Sequence, residues 1–130
     1  MSRRVLIVGG TGFLGRAMCR KAVLSQWDVI SISPSGLHPH SANESEWMFS
    51  REWVEEMMNW NQSNLVHDSS EVLESKFAGV DAVIHCAGTF SHERCYDINY
   101  MTLVRSLKLA RKAGASHFVY ISAFDGMRMF

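Results

Sequence analysis

Residues 9–15 read Gly9-Gly10-Thr11-Gly12-Phe13-Leu14-Gly15. They follow the apolar run Val5-Leu6-Ile7-Val8 and open a stretch of helical spacing. The heptapeptide satisfies GxGxxG from Gly10 and GxxGxxG from Gly9. In such a turn an early glycine permits the tight reversal, Gly12 lets backbone approach a pyrophosphate, and Gly15 lets the helix pack close to the strand. The helix N-terminus then offers N–H groups and partial positive charge to phosphate. No Lys-Ser/Thr follows, so the loop is not that of a P-loop nucleotide triphosphatase.

A dinucleotide site that selects NAD(H) usually ends its second strand with an acid that grips the ribose hydroxyls. The corresponding segment here is Ser33-Pro34-Ser35-Gly36, with no acid, while Asp28 sits at the opposite end of the strand. Without a carboxylate there is no repulsion against a 2′-phosphate. Ser33 and Ser35, with Arg16 as a third candidate, can hydrogen-bond one. NADP(H) is therefore favoured over NAD(H), although the same serines would equally make a turn.

Other reactive side chains point to less. His38 and His40 have no third ligand nearby and read as a loop pair, leaving no metal site. His85 falls in a buried-type strand and reads as a core histidine. His92 with Cys95 would resemble a base and nucleophile, yet nothing supplies an oxyanion hole. Cys19, Cys86 and Cys95 are an odd number without a CxxC pair, which argues against disulfides and zinc and for a reducing compartment. Trp47, Trp53 and Trp60 would cover a sheet edge or, if exposed, meet a partner.

The elements that must position these residues follow from the patterning. Val5–Val8 reads as a strand buried on both faces. Phe13 to Ser25 reads as a helix with Phe13, Leu14, Ala17, Met18, Ala22 and Leu24 on its apolar side. Asp28–Ser33 is a second strand, residues 34–50 an exposed loop, 51–56 a short helix and Met57–Asn61 a third strand. Asp68 or Ser69 caps a helix whose Val72, Leu73 and Phe77 face the core, closed by Gly79. Ala82–Cys86 is a fourth strand. A long helix from His92 to Ala113 carries Leu103, Val104, Leu107 and Ala110 on one face and ends at Gly114. Phe118–Ser122 is a fifth strand. Strands alternating with helices imply right-handed crossovers and a parallel sheet. The expected fold class is α/β, a Rossmann-type doubly wound sheet of about five strands in the order 3-2-1-4-5, C-terminally incomplete.

A chain of 130 residues and 14.7 kDa is expected to be a single domain, residues 1–130. Its 13 basic and 13 acidic residues cancel, so no overall field recommends nucleic acid. The charge is nevertheless segregated: residues 1–27 carry five bases and no acid, residues 28–99 twelve acids against Arg51, Lys76 and Arg94. No apolar run approaches a membrane span. Met-Ser-Arg-Arg leads directly into a strand and leaves no room for a cleavable signal, so an intracellular location is expected.

VLIVGGTGFLGR, DVISISPSG, VDAVIHCAG, the helix from Asn99 and HFVYISA together resemble the extended and atypical short-chain dehydrogenase/reductase superfamily. The similarity covers essentially the whole chain. Within the superfamily the chain is most similar to the NAD-dependent epimerase/dehydratase-like group. The SPSG…W pattern of residues 33–60 points to the branches that hold the nucleotide-binding accessory subunit of respiratory complex I and a coenzyme Q biosynthesis-associated protein. The resemblance implies that Asn64 and Leu65 lie against adenine, where the family often has Asp-Leu or Asp-Val. It implies that Cys86, Ala87 and Gly88 line the ribose-pyrophosphate cleft, and that Ser122 and Ala123 face the nicotinamide. Asn99 would begin the ordered helix. A mitochondrial location is implied by the same resemblance, and a cytoplasmic one holds otherwise.

One departure bears on catalysis. The superfamily's Tyr-x-x-x-Lys pair, in which the lysine lowers the phenol's pKa for proton transfer, is absent. Tyr96, Tyr100 and Tyr120 are followed four residues later by Tyr100, Val104 and Phe124. The expectation is a domain that binds NADP(H) without completing catalysis, with no catalytic residue of its own. The alternatives are the N-terminal half of an NAD(P)-dependent oxidoreductase or epimerase, or a non-catalytic scaffold or assembly subunit of a mitochondrial complex. The fifth strand would be an open edge, so the domain is expected either to have a protein partner covering that edge or to be only marginally stable alone.

Overall fold

The computed structural model describes residues 2–36, 56–89 and 91–122. Five parallel strands form one sheet: β1 (Arg4–Val8), β2 (Asp28–Ser33), β3 (Asn59–Gln62), β4 (Ala82–His85) and β5 (His117–Tyr120). Their spatial order is β3-β2-β1-β4-β5, the order read from the sequence. β1 is central, with Leu6 in register with Ile30 of β2 and Val83 of β4. A strand paired on both edges and covered on both faces has no polar face, which is why its middle residues are all apolar.

The period-2 alternation of β1 sorts its side chains into two cores. Leu6 and Val8 join Ile30, Ile32, Leu73, Phe77, Val83 and Leu109 on one side. Val5 and Ile7 join Cys19, Val23, Val29 and Met58 on the other. Helix α1 (Phe13–Leu24) covers the second side. Helices α2 (Ser70–Phe77) and α3 (Thr102–Ala113) cover the first. Ser69 caps α2, its Oγ accepting the Val72 N–H, and Gly114 ends α3 in the left-handed conformation with φ of 79°. Arg4 holds the amino ends of the strands together, its backbone N–H donating to Asp81 and its Nε to Asp28. Asp28 is thus engaged at the opposite end of the sheet from the glycine loop.

Several boundaries and faces differ from expectation. β3 begins at Asn59 rather than Met57, because pairing with β2 starts at Ile30–Asn59. β5 runs His117–Tyr120 rather than Phe118–Ser122, although the Ile121 N–H still donates to His85. The long helix expected from His92 is a π-helical turn, Tyr96–Met101, leading into α3. α3 buries Thr102, Ser106, Leu109 and Ala110, while Leu107 is exposed. The two buried hydroxyls donate to carbonyls of their own helix, Thr102 to Ile98 and Ser106 to Leu103, so they enter the core without losing a partner. In α1 the buried stripe is Gly15, Cys19 and Val23; Phe13, Leu14 and Leu24 are exposed, as is Val72 in α2. Small residues set the α1 face because the helix lies close against the glycine loop. The loop and helix expected over 34–56, with His38, His40, Trp47 and Trp53, lie almost wholly outside the described residues, as does Ala123. Trp60 packs half-buried against the second core.

Candidate functional site

The carboxyl ends of all five strands open onto one groove at the point where strand order reverses, between β1 and β4. It has two lobes. The first, 410 Å³, lies between the Gly9–Gly12 loop, Ser33 and Pro34 after β2, residues 63–67 after β3, and Arg94, Asp97, Ile98 and Thr102. The second, 710 Å³, is walled by Phe13, Leu14, His92, Cys95, Asn99, Tyr120 and Ser122. Gly12, Cys86, Ala87 and Gly88 line both lobes and form the saddle between them.

The glycines of the loop have different constraints. Gly9 turns with φ of +84°, its N–H donating to Ile32 O and its carbonyl accepting from Gly12 N–H. A Cβ at Gly15 would lie 1.9 Å from the Gly9 oxygen, and one at Gly10 would lie 2.1 Å from Ser31 Oγ. Gly10 and Gly15 therefore serve packing and do not line the groove. Gly12 is extended at φ −79° and ψ 176°, a conformation any residue adopts. A Cβ there would meet only the Gly9 oxygen, at 3.4 Å. Neither the fold's backbone nor its packing requires glycine at Gly12; the space above it is groove. Gly12 is also the N-cap of α1, with no side-chain cap hydrogen bond and no acid in the first turn. That helix end presents backbone N–H groups and positive potential that no side-chain cap and no first-turn acid of α1 neutralises.

Of the other expected site residues, Thr11, Ser33, Asn64, Leu65, Cys86, Ala87 and Gly88 line the first lobe. Phe13, Leu14 and Ser122 line the second. Ser35 is exposed and lines neither, and Arg16 stacks over Phe13, 5.4 Å from its ring centre. Ser33 Oγ accepts the Gly36 N–H, so it does make the turn while facing the groove. Asn64 Oδ1 accepts from the N–H groups of Val66 and His67, and its own N–H donates to Asp68. The residue that departs from the family pattern thus folds the 63–68 loop. Asn99 clasps Thr89 in both directions, accepting from its N–H and donating to its carbonyl, each at 2.8 Å. It anchors the segment after β4 and is more than a helix start.

Sequence reasoning missed Ser63, Arg94, Asp97, Thr102 and Arg105. Ser63 Oγ is buried beside the first lobe with no hydrogen-bond partner among the described residues. Arg105 reaches from α3 to the carbonyls of the 63–68 loop. Only helix spacing across the π turn would have flagged the 94–102 wall, and nothing local signals that a wide turn is there.

His85 is fully buried at the end of β4. Thr102 Oγ1 gives its proton to Ile98 O, so it accepts from His85 Nε2–H at 2.9 Å, leaving Nδ1 unprotonated and without a partner among the described residues. Burial pushes the imidazole below its ordinary pKa and keeps it neutral. Burial likewise pushes Cys19 up to about 12, with Cys86 adding to the rise, and Cys86 up to about 11, so both remain thiols.

The family model described as NAD dependent epimerase/dehydratase matches residues 5–126. The chain belongs to that family. MIOREX complex component 2 of Saccharomyces cerevisiae is 35% identical over 88 residues, 58% of this chain and 31% of that protein. An uncharacterized chloroplastic protein of Arabidopsis thaliana is 30% identical over 128 residues, 95% of this chain and 38% of that protein. The chain thus spans about a third of the length of these curated relatives. Among solved structures, UDP-glucose 4-epimerase from Bifidobacterium longum, in complex with NAD+ and UDP, superposes with a TM-score of 0.72 at 22% identity. That match covers 92% of this chain and 37% of the epimerase, and it establishes the fold. No helix among the described residues is long and apolar enough to cross a membrane.

Proposed function

We propose that residues 1–130 form a single NAD(P)-binding domain in which a nicotinamide dinucleotide spans the groove. The adenosine half occupies the first lobe, the pyrophosphate lies over Gly12 at the start of α1, and the nicotinamide half lies toward Ser122. The observation that carries this reading is Gly12, a glycine whose missing side chain faces open groove at an uncapped helix N-terminus. Ser63 supports it, since a buried hydroxyl without a partner gains one when a ribose or base arrives. Gly9, Thr11, Phe13 and Leu14 shape the phosphate loop; Asn64 and Leu65 flank the base; Cys86, Ala87 and Gly88 form the saddle; Gly10 and Gly15 hold the loop's shape.

NADP(H) is the preferred form. Among the residues that line the first lobe, the strand-two end contributes Ser33 and Pro34 and no carboxylate. Ser33, which lines that lobe, is the residue we assign to the 2′-phosphate, and Arg94 and Asp97 line the same lobe. Titration of the purified chain by tryptophan quenching tests this: saturable binding with NADPH at least several-fold tighter than NADH is expected, and a Ser33→Asp substitution should reverse the order by adding a charge that repels phosphate and holds a ribose diol. Equal affinities, or an order that Ser33→Asp leaves unchanged, would contradict the preference.

The Tyr-x-x-x-Lys pair is absent from these 130 residues, so this stretch supplies cofactor binding, and any oxidoreductase or epimerase proton transfer draws on other polypeptide. A second reading, a binding subunit within an organellar assembly, is favoured by the relative named as a MIOREX complex component. A mitochondrial location belongs to that reading, and imaging of a fluorescent fusion in cells would test it.

A further inference from the structure

We propose that Arg105 is a positioning residue that fixes the adenosine lobe in its binding shape before a ligand arrives. The inference rests on the dinucleotide reading of the groove. Residues 63–67 form one wall of that lobe, and Arg94 just before the π turn, Asp97 and Ile98 on it and Thr102 at the start of α3 form another. Arg105 joins the two. From the first full turn of α3 its Nη1 donates to Leu65 O at 3.0 Å and Val66 O at 3.4 Å, and its Nη2 donates to Asp68 O.

Those three carbonyls converge on one guanidinium across 37 to 40 residues of sequence. The loop's N–H groups point the other way in the bookkeeping of hydrogen bonds: Val66 and His67 donate to Asn64 Oδ1, Asn64 to the Asp68 carboxylate, and Asp68 to the Asn64 carbonyl. The inner bonds make the loop a closed turn. They do not attach it to the far wall, and β3 is a short strand of four residues at the sheet edge. Arg105 makes that attachment. Its planar fork suits several carbonyls at once, whereas a lysine ammonium on a flexible stem cannot span them. A wall fixed beforehand spares the ligand the cost of ordering it.

The test separates the two halves of the cofactor. Arg105→Met and Arg105→Lys are compared with the unsubstituted chain for binding of 2′,5′-ADP, which carries the adenosine half, and of reduced nicotinamide mononucleotide, which carries the other. The expected result is a loss of about tenfold or more for 2′,5′-ADP in both variants, with the mononucleotide changed less than twofold, at a temperature where thermal melts show all three chains folded. Parallel losses for both ligands, or no loss for 2′,5′-ADP, would overturn the proposal, as would failure of both variants to fold, which would assign Arg105 to the fold alone. If the unsubstituted chain binds neither half nor NADPH, the dinucleotide reading itself fails, a result distinct from these.

Discussion

At Gly12 a side chain would enter open groove, whereas at Gly15 it would overlap the Gly9 carbonyl. The glycine motif was legible in the sequence, but this division of labour was not. It depends on how closely α1 lies against the loop, a tertiary fact. His85 shows the same limit. Its burial could be read from the surrounding β4 pattern; its hydrogen bond to Thr102 could not, since the two are joined only by the packing of α3 on the sheet. The buried imidazole has a testable consequence. A histidine held neutral, with its folded pKa below its unfolded one, contributes stability that is fully present above the unfolded value near 6.5 and is lost as pH falls below it. The melting temperature should therefore drop from pH 7 to pH 5, by a free-energy slope of at most about 1.4 kcal/mol per pH unit for this one group. His85→Gln should flatten that slope. An unchanged pH dependence in the variant would contradict the burial argument.

Strand order, the α1 and α2 positions, a cap at Asp68 or Ser69 and the Gly114 stop were all readable, because they follow from local chemistry: apolar runs, an N-cap side chain, a left-handed glycine. The faces of α1 and α3 were not, because small residues and back-bonded hydroxyls pack inward there. The π turn was invisible for a related reason. Thr102 N–H bonds to Asp97 O, five residues back, and this wide step inserts one residue without any change in composition. β5 is the element whose surroundings matter most. It is the last strand of the sheet, and Val119 and Tyr120 on it are 49% and 45% exposed among the described residues. An edge of this kind recruits another chain or strand. The isolated chain should self-associate as its concentration rises, and Val119→Lys should suppress that without lowering the melting temperature. Sedimentation showing a monomer throughout, with or without the substitution, would count against an edge that needs a cover.

Across the whole molecule, five strand ends converge on one groove, and the residues that line it come from every loop on that side. Doubly wound parallel topology produces this result: loops after adjacent strands on either side of the reversal depart in opposite directions and leave a crevice. Membership of the NAD dependent epimerase/dehydratase family agrees with it. The site's shape and its glycine loop are contained in these residues, while the family's Tyr-x-x-x-Lys pair is not. The most direct measurement is an NADPH titration of the unsubstituted chain beside Gly12→Val, with thermal melts of both. Because Gly12 is extended and faces the groove, the valine should abolish saturable binding while moving the melting temperature by no more than a few degrees. Retained NADPH affinity in a folded Gly12→Val chain would contradict a pyrophosphate seated over Gly12, and with it the assignment of the groove.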